Sequence, residues 1–270
     1  MTKMNISAIV VGFNEAPFLK NCLQSISFCE EILYFDLGST DNSVAVAETA
    51  GASIHHHERV LSCEWIHSKF AHTTKHEWLL IIDPDEVADP SLVEEITRLF
   101  ESGGPADNIG AIRVPWHFYF KNQPLKGTPW GGKNQRIFIV HNKRFIFTPE
   151  IHVGRNPVPG FGILDIEGHD NNCIHHYWMQ DCKTLYEKHR RYLNNEGEAR
   201  YNNGARASLL KILYTPFRQF YFSFITKKGY KNYVLGFFLS LFWAWYQTTA
   251  VIRVFKFQQK AAALQKKRYN

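Results

Sequence analysis

EWLLIIDPDE, Glu77 to Glu86, joins two opposite kinds of chemistry. Trp78 to Ile82 is a short, nearly continuous apolar run, the pattern of a strand buried on both faces of a parallel sheet. It stops abruptly at Asp83, Pro84, Asp85 and Glu86, so three carboxylates stand at the carboxyl end of a buried strand. Open α/β sheets bind ligands at that end, and clustered acids repel one another unless a cation sits among them. Mg²⁺ or Mn²⁺ bridging a diphosphate suits the place, because both prefer carboxylate and phosphate oxygens. The competing reading is a solvated acidic turn ahead of a helix, with Asp89 as N-cap and Pro90 as first helical residue. A D-x-D alone is common and does not separate the two.

Upstream, Ile6 to Val11 reads as a first buried strand ending in Gly12, Phe13, Asn14 and Glu15. A helix from about Pro17 carries Phe18, Leu19, Cys22, Leu23 and Ile26 on one face. Ile32 to Phe35 is a second strand, closed by Asp36, and Gly38 to Ser43 makes a turn and helix start with Ser39, Thr40 or Asp41 as N-cap. Ala52 to Ile54 is a third strand and Cys63 to Thr74 a helix. This alternation predicts an α/β fold with a mostly parallel, doubly wound sheet. The chain has neither G-x-G-x-x-G nor a P-loop, which removes the dinucleotide and Walker-type readings.

The turns VVGFNE and FDLGSTDNS and the strand end LLIIDPDE, in this order, resemble the amino-terminal half of family 2 glycosyltransferases of the GT-A fold, and of their lipopolysaccharide-core β-glucosyltransferase branch. The resemblance covers residues 5 to about 200 and is looser after Ser91. It implies a nucleotide-diphospho-sugar transferase, with a UDP-sugar donor met by Phe13, Asn14, Glu15, Asp36, Lys69 and Asp83. A uracil ring offers an N–H between two acceptors, so Asp36 can take the N3 proton while backbone of the Gly12 to Glu15 turn meets the carbonyls. Asp36 and Asp41 can equally be helix caps, and Lys69 a solvated surface lysine. The implied metal ligands are Asp85, Asp83 and, from the H-x-Y-like segment His175 to Tyr177, His176. An inverting transfer also needs a carboxylate to take the acceptor hydroxyl's proton. The family's His-Glu pair is matched at His152, but Val153 stands where the glutamate belongs, so Glu150 is the expected base, with Asp165, Glu167 and Asp170 as alternatives. Val153 also leaves room for a non-catalytic nucleotide-sugar or glycan binder.

Downstream, Ser91 to Phe100 reads as a helix, Ala111 to Phe120 as a strand, and Lys121 to Gln135 as a loop over the acceptor side. Arg136 to Val140 and Arg144 to Phe147 read as a hairpin, and Trp178 to Asn203 as a long charged helix. The His55 to His57 run reads as a solvated loop, lacking the second ligand pair of a zinc site. Five cysteines without C-x-x-C spacing indicate reduced thiols rather than a disulfide framework.

Charge is divided unevenly. From Lys183 onward 17 Lys and Arg face three acids, whereas residues 1–182 carry 14 basic and 22 acidic residues. Phe217, Phe220, Tyr221, Phe224 and Ile225 recur at helical spacing beside Arg218, Lys227 and Lys228, the pattern of an interfacial helix. Tyr233 to Ile252 is apolar enough to span a bilayer, yet its aromatic residues cluster near its middle rather than at its ends. The expectation is a glycosyltransferase domain over residues 1–205 and a membrane-associating helical segment over 206–270. The protein would then be cytoplasmic, peripheral on the inner face of the cell membrane, and would act on a lipid-linked glycan. A core or dimer helix is the alternative, which leaves room for a homo-oligomer. Aromatic residues among leucines fit lipid better than stacked bases, so no nucleic-acid partner is expected.

Overall fold

The computed structural model describes residues 3–60, 62–132, 134–149, 155–167 and 172–269; for residue 195 and residues 264–269 it describes the backbone alone. The chain divides into two compact units, Met1–His117 with Asn134–His176, and Phe118–Lys133 with Tyr177–Asn270.

The first unit opens with the expected alternation of β1 (Met4–Gly12), α1 (Ala16–Ser25), β2 (Cys29–Asp36), α2 (Ser43–Thr49), β3 (Ser53–His56), α3 (Cys63–Phe70) and β4 (Trp78–Ile82). There follow β5 (Glu86–Ala88), α4 (Pro90–Glu101), β6 (Ile109–Phe120), β7 (Gln123–Pro124), β8 (Asn134–His141), β9 (Gly162–Asp165) and β10 (Ile174–Met179). The sheet runs β3-β2-β1-β4-β8-β6-β10-β5. Its first four strands are parallel. β8 then enters antiparallel between β4 and β6, and β5 pairs antiparallel with β10.

Period-2 alternation explains why β1 and β4 lie at the centre. Ile6, Ala8, Val10, Leu80 and Ile82 pack on one face with Leu19, Leu23 and Ile26 of α1 and Leu92 and Ile96 of α4. Ile9, Leu79 and Ile81 pack on the other with Ile66 of α3. A strand covered on both faces has no polar position to spare, so the run stays apolar until it leaves the sheet. Asp89 caps α4 as expected, its Oδ1 accepting the Ser91 N–H at 2.9 Å, with Pro90 in the first turn.

Two expectations change. Arg144 to Phe147 forms no strand; Phe145 makes only an isolated bridge to Pro157. Both edges of β8 are already paired, with β4 and with β6, so no edge remains for a hairpin partner. Residues 174–179 are strand β10 rather than a lead into the long helix, which starts at Cys182 behind Asp181, whose Oδ1 accepts the Thr184 N–H at 2.7 Å.

The second unit holds the end of β6 with β7, then α5 (Cys182–Asn202), α6 (Leu209–Tyr221) and α7 (Tyr233–Tyr269). A π-helical turn, Phe222–Thr226, and a 3-10 turn, Gly229–Asn232, join α6 to α7. Leu193 of α5 packs on Tyr246 and Ala250 of α7, and the buried His189 ring stands edge-on to Trp130, Phe242 and Tyr246.

The end of β1 has no room for a side chain. A Cβ on Gly12 would lie 2.6 Å from the hydroxyl of Tyr34, which is itself fully buried. Gly12→Ala is expected to destabilise the fold by about 1–3 kcal/mol, read as a lower urea midpoint. Adding Tyr34→Phe, which removes the nearest atom, should recover part of that loss.

Candidate active site

The acid loop is organised around Glu86. As β4 leaves the sheet, the chain turns so that the Glu86 N–H donates to the Asp83 carbonyl at 3.0 Å. The Glu86 carboxylate reaches back, its Oε2 accepting the Asp83 N–H at 2.8 Å. Its Oε1 accepts from Trp116 Nε1 at 2.8 Å and from the Arg136 guanidinium. Arg136 Nη1 also lies 3.3 Å from Asp83 Oδ2, and its Nη2 donates to the Ile81 carbonyl at 3.3 Å.

Strand register puts Arg136 there. Leu80 of β4 faces Ile139 of antiparallel β8, so three residues onward on β4 correspond to three residues back on β8. Glu86 is completely buried, and burial pushes its carboxyl up to about 7 against the pull of Arg136. Burial would also raise Asp83, but Arg136, ahead of His176, holds it below the usual carboxylate range.

β10 supplies the partner of Asp85. Register opposes His176 to Glu86, and its Nε2 lies 3.2 Å from Asp85 Oδ2. The ring stacks on Trp116, with centroids 5.0 Å apart and planes within 6°. Burial works against protonation of His176, but Asp85, ahead of Glu86 and Asp83, raises it above the ordinary histidine value. The adjacent His175 turns away, its Nε2 3.0 Å from Asp89 Oδ2.

Among the described residues no group of three His, Cys, Asp or Glu is placed to hold a metal. Asp85 and His176 nevertheless fit a divalent cation as a pair. Their 3.2 Å separation is close to the edge of about 3 Å between adjacent ligands of an octahedral ion bound at about 2.1 Å. Ions of this kind commonly take one or two protein ligands and complete their shell with water and phosphate oxygens.

The turns after β1 and β2 are latched together. Asn14, at φ 57°, accepts from the Thr40 N–H at 2.8 Å and donates its own N–H to Ser39 Oγ at 3.0 Å. The Glu15 N–H donates to Ser43 Oγ at 2.9 Å, and the Ala16 N–H to Asp41 Oδ2 at 3.2 Å. Phe13 lies under the Arg59 guanidinium, 3.3 Å from its ring centre. Asp36 is 2% exposed, and its carboxylate accepts the N–H groups of Gly38 and Ser39, all at 3.2 Å. Its carboxylate thus already serves its own turn, and His56 Nδ1 stands 3.5 Å away.

Lys69 is exposed on α3, with Nζ 5.8 Å from the Trp65 ring centre. The buried groups of that helix are Glu64 and His67. Arg155 lies 3.8 Å from Glu64. Burial, with the charge of Arg155 next, lowers His67 to about 3, so the ring is neutral.

The structure therefore brings together Asp83, Asp85 and His176, and separately joins Asn14 and Glu15 to the turn after Asp36, while Phe13 lies against Arg59. Glu150, with His152 and Val153, lies outside the described residues, as does Asp170. Asp165 is held by Arg113 through two hydrogen bonds of 2.5 and 2.8 Å. Sequence reasoning missed the roles of Arg136, Trp116 and Glu86. Arg136 carried one usable signal, a cation opening an apolar strand; Trp116 carried none.

Arg136→Met removes the cation that two acids share and is expected to cost about 3–5 kcal/mol. The loss should be greater at pH 8 than at pH 5. Without the guanidinium, Glu86 sits still further above its unfolded value, takes up a proton at low pH, and loses that relief as pH rises through its folded value. Urea unfolding at the two pH values checks this, and equal losses would overturn the shared-guanidinium account.

Comparison with known proteins identifies the family. The model of glycosyl transferase family 2 matches residues 7–155, more than half of the chain. The lipopolysaccharide core biosynthesis glycosyltransferase LpsC of Rhizobium meliloti is 24% identical over 223 residues, 79% of this chain and 78% of the relative. An uncharacterised glycosyltransferase of Rickettsia conorii is 24% identical over 252 residues, 88% of this chain and 86% of the relative. Among solved structures, glucosyl-3-phosphoglycerate synthase of Mycobacterium tuberculosis, in complex with Mn²⁺ and uridine-diphosphate-glucose, aligns with a TM-score of 0.36 and 16% identity, covering 53% of this chain and 57% of that one. By the match of the family model across both latched turns and the acid loop, this chain belongs to glycosyltransferase family 2, and its mixed α/β sheet is of the GT-A class.

Proposed function

We propose that this glycosyltransferase takes a sugar from a UDP-sugar and adds it, with inversion at the anomeric carbon, to a lipid-linked glycan such as a lipopolysaccharide core. The observation that carries the reading is the pair Asp85 and His176, 3.2 Å apart at the carboxyl end of β4 and fitted to one divalent cation. Asp85 and His176 would hold Mg²⁺ or Mn²⁺, with Asp83 beside them. When bound, the ion supplies positive charge for the leaving diphosphate.

The remaining roles fall to this chain's own groups. Glu86 and Arg136 fix the loop so that Asp85 need not be organised anew for each turnover. The turn of Phe13, Asn14 and Glu15 lines the uracil, its shape fixed by the Asn14 and Glu15 N–H groups held on Ser39 and Ser43. Asp36, buried and committed to the Gly38 and Ser39 N–H groups, forms the floor of that turn. Lys69, from its exposed position, serves as a mobile point charge for the donor phosphates. Glu150 takes the acceptor hydroxyl's proton; the engagement of Asp165 by Arg113 favours Glu150 over it. The acceptor class is supported by the relation to the lipopolysaccharide core enzyme and by the exposed apolar helices of the second unit.

Calorimetric titration with UDP tests the donor assignment. Binding is expected to require Mn²⁺ or Mg²⁺ and to weaken by roughly tenfold or more in Asp85→Ala. Metal-indifferent binding that Asp85→Ala leaves unchanged would overturn it. Slow Asp85-dependent hydrolysis of UDP-glucose would speak against the non-catalytic reading that Val153 raises.

A further inference from the structure

The hairpin of α6 and α7 is built with its polarity reversed. Its seam carries small and polar groups beside the buried Leu239 and the rings of Phe220, Phe224 and Phe237. Ser223 Oγ and Ser240 Oγ meet at 2.9 Å, both side chains fully buried, and Ser240 also donates to the Gly236 carbonyl at 2.7 Å. Trp243 Nε1 donates to Gln219 Oε1 at 3.0 Å. The backbones approach so closely that a Cβ on Gly236 would lie 1.8 Å from the Gly229 carbonyl oxygen.

The outer face carries the large apolar side chains. Of the 17 large hydrophobic residues exposed among the described residues, 14 lie between Leu209 and Trp245. Leu213 and Phe217 of α6 are 69% and 78% exposed, and Val234 of α7 is 83% exposed. In water a helical hairpin buries such residues and exposes its serines. Small residues inside and large apolar residues outside is the packing of helices whose solvent is lipid.

The charges around it select the lipid. No acidic residue follows Glu198, and Arg218, Lys227, Lys228 and Lys231 are exposed on the hairpin. Basic groups beside an apolar face favour a bilayer with anionic headgroups.

The depth is set by α5. Although α7 is long and apolar enough to cross a bilayer by length and composition, charged residues of α5 are bonded to it from Tyr246 onward. Arg200 donates to Gln247 Oε1 at 3.1 Å, and Glu196 accepts from the Tyr246 hydroxyl. A crossing by α7 would carry Glu196 and Arg200 into hydrocarbon, which is costly.

We infer that the outer face of the α6–α7 hairpin is a monotopic docking surface for an anionic bilayer, immersed up to about Trp245 and not crossing it.

The test uses the full chain and extruded vesicles of phosphatidylcholine with or without phosphatidylglycerol. Co-sedimentation is expected with the anionic vesicles, weaker with pure phosphatidylcholine. The variant Phe217→Ser with Val234→Ser should bind the anionic vesicles roughly tenfold or more weakly, while its affinity for UDP stays that of the parent. Trypsin added outside should still release peptides at Lys256 and Lys260 from vesicle-bound protein. Three results would overturn the inference: undiminished vesicle binding by the variant, protection of Lys256 and Lys260, or a dimer in light scattering that the variant dissolves. Loss of UDP binding with vesicle binding intact would strike the transferase reading alone.

Discussion

A single guanidinium shared by two acids holds the acid loop at the carboxyl end of β4 together. Arg136 bridges the buried Glu86 and the partly exposed Asp83, and its second nitrogen takes the Ile81 carbonyl. An ion pair out of water stabilises little unless its remaining lone pairs and protons are matched. Here they are, because Glu86 also accepts from the Trp116 indole and from the Asp83 backbone. This arrangement lets a third acid, Asp85, stand beside His176 instead of collapsing onto the same cation.

The same economy governs the turns after β1 and β2. Asn14, Ser39, Asp41 and Ser43 spend their side chains on backbone N–H groups of the facing turn, so two loops behave as one surface. Asp36 beneath them is too buried to be a simple surface acceptor. The side chains and the backbone N–H groups of the two turns are therefore committed largely to one another.

Much of this was legible before any coordinates. Trp78 to Ile82 had to be a strand covered on both faces, and the acids after it had to sit at its carboxyl end; the Asp89 cap and the alternation through residue 86 followed from local rules. Other features depended on pairing that no local pattern encodes. Nothing near Arg136 says that its strand runs antiparallel beside β4, and nothing near His176 says that it will face Glu86. The supposed strand at Arg144 to Phe147 had the right composition but no edge to join. In the second unit periodicity found the amphipathic helices, whereas the serine-lined seam emerged only from how they pack.

The acid loop draws on strands far apart in the chain. The three motif turns are complete by Glu86, but β8 brings Arg136 some 50 residues later and β10 brings His176 some 90 residues later. At a synthesis rate of about 5–20 residues per second, a ribosome-bound chain carries the acids for roughly 5–20 s before the histidine exists. The indole and the guanidinium that bind Glu86 are made within that interval, 30 and 50 residues after it, so the histidine is the last of these groups to appear. The nascent chain carries the full set of motif turns well before it can assemble the site, so the acid loop takes its final form only once β10 has been made.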